Sequence, residues 1–499
     1  MKQKLLKTYR KVCLLLLAGA PLLVGCAIGY DSPDGFDVGV RNAQLETPDS
    51  VSFVVSTDGT KATISWPLVL GAKGYEVSFL NVDDPEAPSV VGDLDKYLVD
   101  GSSVTVPVAE DSKYRLEIRV IGKQELGNKD AAEPTVFNLS TLVPSVATIP
   151  NGSDIYEYLQ ANPIDSVGEE VAIDLEPGGT YTLSGPVDFG GQKLTFRGDK
   201  LKRATVNVTG TGALYTYSGL KVKYINFDMT EATAASFIFM SANNLPSSIL
   251  SENLGYTRGG SPISGIYVVQ DPIYIAHCWF KNMPGAILHD NAIVCAYWNF
   301  TLTDCICQLN NAKGEPFISL QKKGRMVKNL ELKNSTIYDI VDNSSTYFIR
   351  YSNSSNARPE KTFGDRSSEY KSQSWTFANM TFSKTFSGQK FINNVAANDM
   401  TLTVDHSIFY DICQTRRLVG SNRTYKFNFW YAFTKPDSND PKQKDSSGAP
   451  FASEYDPQFK GSITQPLDLS LPNGGVDFTP QEYEIISNSG GDPRWLPGK

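Results

Sequence analysis

A loose internal repeat restricts the fold of this chain more than any other feature. One pattern recurs six times: a polar residue, a large apolar residue three positions later, and then usually Asn or Asp and a turn. The apolar anchors are Phe227, Phe280, Leu302, Ile337, Phe382 and Phe409. Their spacings of 53, 22, 35, 45 and 27 residues fit one or two coils of about 20–25 residues, with insertions where the interval is irregular. The repeat predicts a β-solenoid, because each coil buries its apolar face only by stacking on the next.

The composition agrees with a β-rich globular protein. The chain has 499 residues, with 41% hydrophobic and only 20% charged residues, and contains 24 Tyr and 25 Phe. Aromatic residues suit a pleated surface. This balance excludes a coiled coil, a long disordered chain and a basic nucleic-acid-binding protein. Helical repeats are excluded because the pattern lacks helical periodicity, and the leucine-rich repeat frame is absent.

The N-terminus has the organisation of an export signal. Five basic residues lie within the first eleven positions, and an apolar stretch from Val12 to Val24 is too short to span a bilayer. The sequence Leu23-Val24-Gly25-Cys26 that ends it resembles a bacterial lipobox. The resemblance implies that residues 1–25 are a lipoprotein signal peptide and that Cys26 is lipidated. The protein would then be held on the outer membrane, at the cell surface. The alternative is an ordinary signal peptide with a chance cysteine.

Two regions with different patterns follow a tether predicted at residues 26–49. Residues 50–141 contain short alternating strands separated by turns, which is typical of a sandwich. A tryptophan in the second strand, Trp66, and a tyrosine that opens a late strand, Tyr114, make the region similar to a fibronectin type III module. In that module Tyr114 would be the tyrosine-corner residue, and Trp66 is expected in the core.

The solenoid is predicted over residues 150–435, with residues 436–499 as a C-terminal loop and capping segment. A short helix over residues 154–160, capped by Asp154, leads into the first strands. This order resembles right-handed parallel β-helices of the pectin-lyase type. Lipobox, tether, fibronectin-like module and β-helix together resemble surface lipoproteins of glycan-utilisation systems in Bacteroidota. The predicted fold class is all-β: a fibronectin type III-like sandwich followed by a right-handed parallel β-helix.

Cysteine and histidine patterns predict no metal site. The cysteines beyond the lipobox are odd in number and lie in apolar surroundings: Cys278, Cys295, Cys305, Cys307 and Cys413. Small buried side chains are therefore favoured over disulfides or zinc ligands. His277 and His406 share one repeat position, which indicates a structural stack or polar ladder. His289, next to Asp290, is a candidate base.

Two enzymatic patterns are absent or incomplete. Polygalacturonase-like β-helices require paired aspartates and Gly-His-Gly, whereas the only Asp pair is Asp83-Asp84, in the sandwich region. Single acidic residues occur mostly at turns in the repeats: Asp228, Asp290, Asp304, Asp339 and Asp411. A polysaccharide lyase with a Lys or Arg base stays open as an alternative, and calcium is expected only in that alternative. No other cofactor is predicted.

Basic and aromatic residues supply the candidate ligand contacts. They are the turn residues Lys322, Lys323 and Arg325, the strand pair Arg350 and Tyr351, and the loop pair Tyr256 and Arg258. In the strand Tyr347-Phe348-Ile349-Arg350-Tyr351, alternation places Phe348 and Arg350 on one face, and we expect that face to border a groove or loop, because an inward Arg350 would be costly. Guanidinium groups pair with carboxylates, and aromatic rings stack on sugar faces.

Net charge restricts how a polyanionic ligand can bind. The formal net charge is −8, and removal of residues 1–25, which hold five basic and no acidic residues, makes it −13. Polyanions therefore need a local positive site. The sequence predicts a non-catalytic, surface-anchored protein that binds an acidic plant polysaccharide such as pectin, with glycan-transport proteins as further partners. A lyase and a structural or adhesion protein are the alternatives.

Overall fold

The protein divides into two compact units. The computed structural model describes residues 40–498 except 165–167, 342–346, 387, 389, 397–399, 421–422 and 436–439. The first unit ends at Leu142 and the second begins at Val143. The predicted lipidation site, Cys26, lies outside the described residues. Within the described ranges, no helix is long and apolar enough to cross a membrane.

The first unit consists of two antiparallel sheets that share one apolar core. One sheet contains Ser52–Val55, Lys61–Ser65 and Ser103–Pro107. The other contains Ala72–Asn81, Ser89–Val90, Tyr97–Val99, Lys113–Gly122 and Thr135–Ser140. A 3-10 helix spans Gln124–Leu126. The predicted strands are all present, because their alternating residues bury one face: Ile64, Val77 and Leu116 of the two sheets belong to the same buried cluster.

Two aromatic residues of this unit occupy the positions expected from the sequence. Trp66 is buried and packs edge-on against Tyr75, with ring centroids 5.3 Å apart. The Tyr114 hydroxyl accepts a hydrogen bond of 2.7 Å from the backbone N–H of Ala109, a few residues upstream. Tyr114 therefore binds back to the turn that precedes its own strand.

The end of the predicted tether is part of this unit. The backbone N–H of Asn42 donates to the carbonyl of Leu126 at 3.0 Å, and that of Leu45 donates to Lys129 at 3.2 Å. Leu45 is only 5% exposed. Residues 42–45 therefore pack against the sandwich, which corrects the predicted tether range at its C-terminal end.

The second unit is β-helix-like and consists mainly of three parallel ladders. It begins with Ser145–Ile149 and helix α1, Ile155–Ala161. Asp154 caps α1, since its Oδ1 accepts the N–H groups of Tyr156 at 2.9 Å and Glu157 at 3.2 Å. The cap confirms the predicted helix start.

The strands of each coil fall into ladders that we name A, B and C. Ladder A contains Val171–Leu175, Leu194–Arg197, Leu220–Lys223, Ile273–Ala276, Cys295–Thr303, Met400–Asp405 and Arg423–Lys426. Ladder B contains Thr180–Leu183, Ala204–Gly210, Ile225–Ala232, Trp279–Met283, Ile306–Leu309, Ile408–Tyr410, Phe429–Tyr431 and Ser453–Glu454. Two long strands, Val327–Asp339 and Gln373–Ser383, run through both ladders. Ladder C contains Pro186–Asp188, Ala213–Thr216, Ser236–Met240, Ala286–His289, Ile318–Leu320, Ile349–Tyr351 and Ile392–Asn393.

A left-handed backbone position explains the sequence repeat. Each corner between ladders A and B from the third coil onward has one residue with φ between 45° and 57°: Tyr224, His277, Asp304, Asn334, Asn379, His406 and Phe427. Asn, Asp and His tolerate this conformation better than most side chains. Three positions later the chain places a buried residue in ladder B, and these residues are in register: Phe227, Phe280, Cys307, Ile337, Phe382, Phe409 and Trp430.

One predicted anchor was wrong. Leu302 lies in ladder A, where it pairs with Ile275 and Leu332. The corner residue of this coil is Asp304, and its anchor is Cys307. The other five anchors are confirmed. His277 and His406 do share one repeat position, and each ring lies against a neighbouring corner residue: His277 stacks on Tyr224 at 5.0 Å between centroids, and His406 contacts Phe427 at 5.1 Å.

Two insertions pack together beside the solenoid. The first contains a 3-10 helix, Ser247–Ile249, a hairpin of Thr257–Arg258 and Ser261–Pro262, and the strand Tyr267–Val269. The second contains helices α2, Pro359–Thr362, and α3, Ser368–Lys371. Rings of both insertions meet Trp298 of ladder A in edge-to-face or tilted contacts: Tyr256, Phe363 and Tyr370.

The C-terminal segment has two parts. Residues 440–454 include a 3-10 helix, Asp440–Lys442, and place Phe451 in the solenoid core beside Tyr425. Residues 456–498, which we call the strap, include the 3-10 helices Pro472–Gly475 and Pro493–Trp495 and helix α4, Tyr483–Ser487.

The strap covers apolar residues on the outer face of ladder B. Phe478 and Trp495 form a buried cluster with Trp279, Ile306 and Tyr338. Because these residues belong to successive middle coils, the strap lies along the flank of the solenoid. The strap also packs on the last coils, where Ile485 forms a buried cluster with Ile408 and Phe429, so the predicted capping segment covers middle coils as well as the last ones.

Candidate functional site

Ladder C carries one outward-facing side chain per coil, in register along its whole length. Inward positions are filled by buried aliphatic residues such as Leu214, Leu288 and Ile349. The residues that follow each of them in the strands face outward, because side chains alternate along a strand. We call them the outer row: Asp188, Tyr215, Phe239, His289, Ser319, Arg350 and Asn393.

The first part of the outer row is aromatic. Tyr215 stacks on Phe239 with ring centroids 4.9 Å apart and an interplanar angle of 11°. Asp188, which is exposed, precedes them in the row, and its Oδ2 accepts hydrogen bonds of 2.7 Å from Ser241 Oγ and from Asn243 Nδ2. Asp188 also borders an open pocket whose far side is lined by residues of α1 and the following turn. A partly exposed ring beside hydrogen-bonding groups is suited to a sugar.

His289 lies at the centre of the row and is held in one orientation. Its Nδ1 accepts a hydrogen bond of 2.9 Å from the backbone N–H of Asn291. Burial lowers the pKa of His289, while the carboxylates of Asp290 and Glu315 oppose that shift. The imidazole is therefore neutral at pH 7, and its proton is on Nε2 because Nδ1 is an acceptor. In this state His289 offers the outside a hydrogen-bond donor.

A side-chain bridge crosses the row at the next coil. Glu315, from the loop before Ile318–Leu320, accepts hydrogen bonds through Oε2 from Gln321 Nε2 at 3.0 Å and from Ser319 Oγ at 3.5 Å. Ser319 has no exposed surface. The bridge separates the aromatic half of the row from the half that contains Arg350.

Arg350 presents a positive charge to this second half. Its guanidinium carbon lies 5.2 Å from the centroid of the Tyr347 ring. Among the residues that the structure describes, no carboxylate lies within ion-pair distance of Arg350. The predicted outward orientation of Arg350 is the observed one, in register with Ser319 and Asn393.

The basic turn next to the row is held by a buried carboxylate. Oδ2 of Asp290 accepts the backbone N–H groups of Lys322, Lys323 and Gly324 at 2.9, 2.8 and 2.6 Å. Asp290 itself has no exposed surface. The side chains of Lys322 and Lys323 are exposed, and the charge of Lys322 is close enough to disfavour protonation of His289. Arg325 is half-buried, and burial lowers the pKa of its guanidinium.

Two aromatic candidates from the sequence are not available to a ligand. Tyr351 has no exposed surface, because it follows Ile349 by two positions and so faces inward; its hydroxyl accepts the N–H of Val327 at 3.0 Å. Tyr256 is 1% exposed and packs within the two insertions, and burial raises its pKa to about 12. Both predictions as ligand contacts are corrected. Phe348, which was expected to face a groove, is also buried, in an aromatic cluster with Phe391.

Arg258 is exposed but belongs to the inserted hairpin and not to the row. The hairpin is fixed to the second insertion, since the N–H of Gly259 donates to Asp365 Oδ2 at 2.9 Å. The structure therefore brings together Arg350 with Lys322 and His289, whereas Tyr256 and Arg258 lie elsewhere.

The thiols and histidines do not assemble into a metal site within the described ranges. All five described cysteines are free and buried, in agreement with their predicted role as small core residues. No group of three or more His, Cys, Asp or Glu residues that could hold a metal ion occurs among the described residues.

Sequence reasoning missed most of the outer row. Five members of the row were not among the candidates, and neither was Glu315 beside it: Asp188, Tyr215, Phe239, Ser319 and Asn393. The available signal was the alternation in short segments such as Leu214-Tyr215-Thr216 and Ile238-Phe239-Met240, where an aromatic residue stands between two buried ones. Their alignment into one row depends on the register between coils, which the irregular insertions conceal.

Comparisons with known proteins match parts of the chain. Residues 1–181 match the model of a domain of unknown function, DUF4992, and residues 179–340 match that of another, DUF4957. No curated protein matches the sequence. The structure is similar to the PL6 family alginate lyase AlyGC and to an arginine mutant of it, with 11% and 10% identity and a TM-score of 0.18 for both. These matches cover 70% of this chain, which spans 58% of the length of each lyase.

Proposed function

We propose that this protein is a non-catalytic glycan-binding protein that recognises an acidic polysaccharide such as pectin through the outer row of ladder C. The observation that carries the proposal is the register of the row. Seven coils each contribute one outward side chain, at a rise of roughly 4.8 Å per coil. A linear polymer laid along the solenoid axis would meet the exposed or partly exposed members in order, Asp188, Tyr215, Arg350 and Asn393, and would pass over the buried Phe239, His289 and Ser319.

The two halves of the row suit different parts of such a ligand. The ring of Tyr215 offers a face for a pyranose, and Asp188 can bind hydroxyl groups. Arg350, four coil steps further and so roughly 19 Å away, can pair with a uronate carboxylate. Lys322 and Lys323 add positive charge beside it. This local charge is needed because the whole chain is acidic.

The orientation of His289 favours binding over catalysis. A lyase needs a base that removes the proton next to the uronate carboxylate. Nδ1 of His289 is occupied by the N–H of Asn291, which leaves a donor at Nε2. A polysaccharide lyase that uses Lys322 or Arg350 as base is the second candidate function, and a structural or adhesion protein is the third.

A single experiment separates these three functions. The purified protein is incubated with a panel of pectins, and both unsaturated-product absorbance and retardation in a glycan-containing gel are recorded. We expect retardation by de-esterified pectin without product absorbance. Product absorbance would show the lyase, and neither signal would indicate the structural protein.

Arg350→Ala should lower the affinity for an oligogalacturonide by about 10-fold or more, because a hydrogen bond to a charged group contributes about 1.5–3 kcal/mol. Affinity is measured by titration calorimetry, with the unfolding midpoint as a check on folding. The matched control is Arg258→Ala, which removes an exposed arginine from the hairpin. Equal losses in both variants would count against the outer row as the binding site.

We also propose that Cys26 anchors the protein to the outer membrane, at the cell surface. The support is the order of basic residues, apolar stretch and Leu23-Val24-Gly25-Cys26. Cys26→Ser should abolish incorporation of labelled fatty acid and leave the signal peptide uncleaved. Unchanged labelling of that variant would refute the anchor.

For the first unit we propose a fibronectin type III-like module. Its support is the pair of antiparallel sheets with one core and the hydrogen bond from Ala109 to Tyr114.

A further inference from the structure

Glu315 occupies a place on the outer row that is built for a carboxylate. Its Oε2 accepts a hydrogen bond from Ser319 Oγ, in the strand Ile318–Leu320, and another from Gln321 Nε2, in the turn after that strand. Its negative charge also acts on His289 in the preceding coil. The groups around this carboxylate are thus two neutral donors and an imidazole, with the Lys322 ammonium near the same imidazole.

The other nearby carboxylate is already engaged. Asp290 Oδ2 accepts three backbone N–H groups of the basic turn, and its Oδ1 accepts the N–H of Ala292 at 3.1 Å. Asp290 is also fully buried. Glu315, in contrast, is only partly buried, and it covers one member of the outer row, Ser319, through the hydrogen bond to Ser319 Oγ.

The loop that carries Glu315 keeps its shape without the Glu315 side chain. Asn311 closes the loop, since its Oδ1 accepts the N–H of Glu315 at 3.1 Å and its Nδ2 donates to the carbonyl of the same residue at 2.6 Å. A rotation of the Glu315 side chain would therefore free Ser319 and Gln321 while the backbone stays in place.

We propose that Glu315 is an internal stand-in for the carboxylate of the bound glycan. A uronate of the ligand displaces the Glu315 side chain and takes over its hydrogen bonds to Ser319 and Gln321, one coil before Arg350. This inference rests on the proposed function, and it names the group on the ligand that the centre of the row selects. A methyl-esterified sugar has no carboxylate to take over these hydrogen bonds, so it leaves the Glu315 side chain in place.

The test compares an oligogalacturonide hexamer with its fully methyl-esterified form, using titration calorimetry on the full chain. Glu315→Ala should bind the acidic hexamer about 10-fold more tightly than the wild type. In this variant no internal carboxylate competes with the uronate for the hydrogen bonds of Ser319 and Gln321, and none repels its charge. Its affinity for the esterified hexamer should change by less than about 2-fold. Gln321→Ala in the Glu315→Ala background should reverse most of the gain.

A matched control removes the same charge from another face. Glu331 is a partly exposed carboxylate on ladder A, paired with Lys333, and Glu331→Ala should leave both affinities unchanged. Binding by the wild type with no gain in Glu315→Ala, or an equal gain for both hexamers, would overturn the stand-in and leave the proposed function intact. Absence of binding in both the wild type and Glu315→Ala would overturn the two together.

Discussion

Asp290→Ala is expected to lower the free energy of unfolding of the solenoid by about 3–5 kcal/mol. The carboxylate is fully buried and accepts the N–H groups of Lys322, Lys323 and Gly324 through Oδ2. Alanine would leave these donors without a partner, and each unsatisfied buried polar group costs about 1–3 kcal/mol. The full sum is not expected, because the turn can open and let water reach the N–H groups. Denaturant unfolding, followed by hydrogen exchange at residues 322–324, measures the loss.

The same substitution should weaken glycan binding, since the turn that presents Lys322 and Lys323 loses its support. Asp468→Ala is the control: Asp468 is exposed and accepts the N–H of Ser470 at 3.0 Å in a local turn. It should change stability by less than about 1 kcal/mol. If Asp290→Ala proved as mild as the control, the carboxylate would not be what holds the turn.

Trp495→Ala is expected to cost about 3–5 kcal/mol, the usual range for a large aromatic side chain removed from a core. Trp495 is 5% exposed and packs with Phe478 over the outward residues of ladder B. Its Nε1 also donates to Thr336 Oγ1 at 2.7 Å. Release of the strap would expose Trp279, Ile306 and Tyr338, so the variant should bind a hydrophobic dye and be cleaved by protease within the strap.

Tyr483→Ala provides the comparison within the same segment. Tyr483 is 74% exposed in helix α4, and its removal should change stability by less than about 0.5 kcal/mol. A strap that resists protease equally in both variants would show that Trp495 does not hold it.

Beside Trp495, the strap contains a buried carboxylate, that of Asp492. Asp492 Oδ2 accepts from Thr336 Oγ1 and from Arg494 Nη1, each at 2.8 Å. Burial raises the pKa of Asp492 to about 6, although Arg494 opposes the shift. Desolvation therefore outweighs the ion pair at this position.

The corner repeat could be recognised in the sequence because most of its corner residues are of types that tolerate a left-handed backbone. Asn334, Asn379 and His406 tolerate a left-handed backbone, and each is followed after three positions by a buried residue. The anchor of the coil with Asp304 was assigned wrongly because the true anchor, Cys307, is small, whereas Leu302, which precedes it in ladder A, is large. A pattern based on residue size favours the wrong ladder when the true anchor is a cysteine.

The candidate site could be predicted only in part. Alternation correctly placed Arg350 outside, yet it failed at Phe348, because the strand begins at Ile349 and the preceding residue turns into the core. The sequence predicted that Asp290 lies in a turn and that its side chain accepts a hydrogen bond from the nearby backbone. Its Oδ1 does accept the N–H of Ala292. Its bonds to residues 322–324 join different coils, and no local pattern reports such contacts.

The buried cysteine thiols make it possible to measure the rate at which the solenoid opens at separate positions. Burial raises the pKa of Cys278 and of Cys413 to about 12, and neither has exposed surface. A thiolate-directed reagent therefore reacts with either one only after its coil has opened. Because Cys278 lies in a middle coil and Cys413 near the last ones, their labelling rates report whether the solenoid comes apart from its end or as one piece.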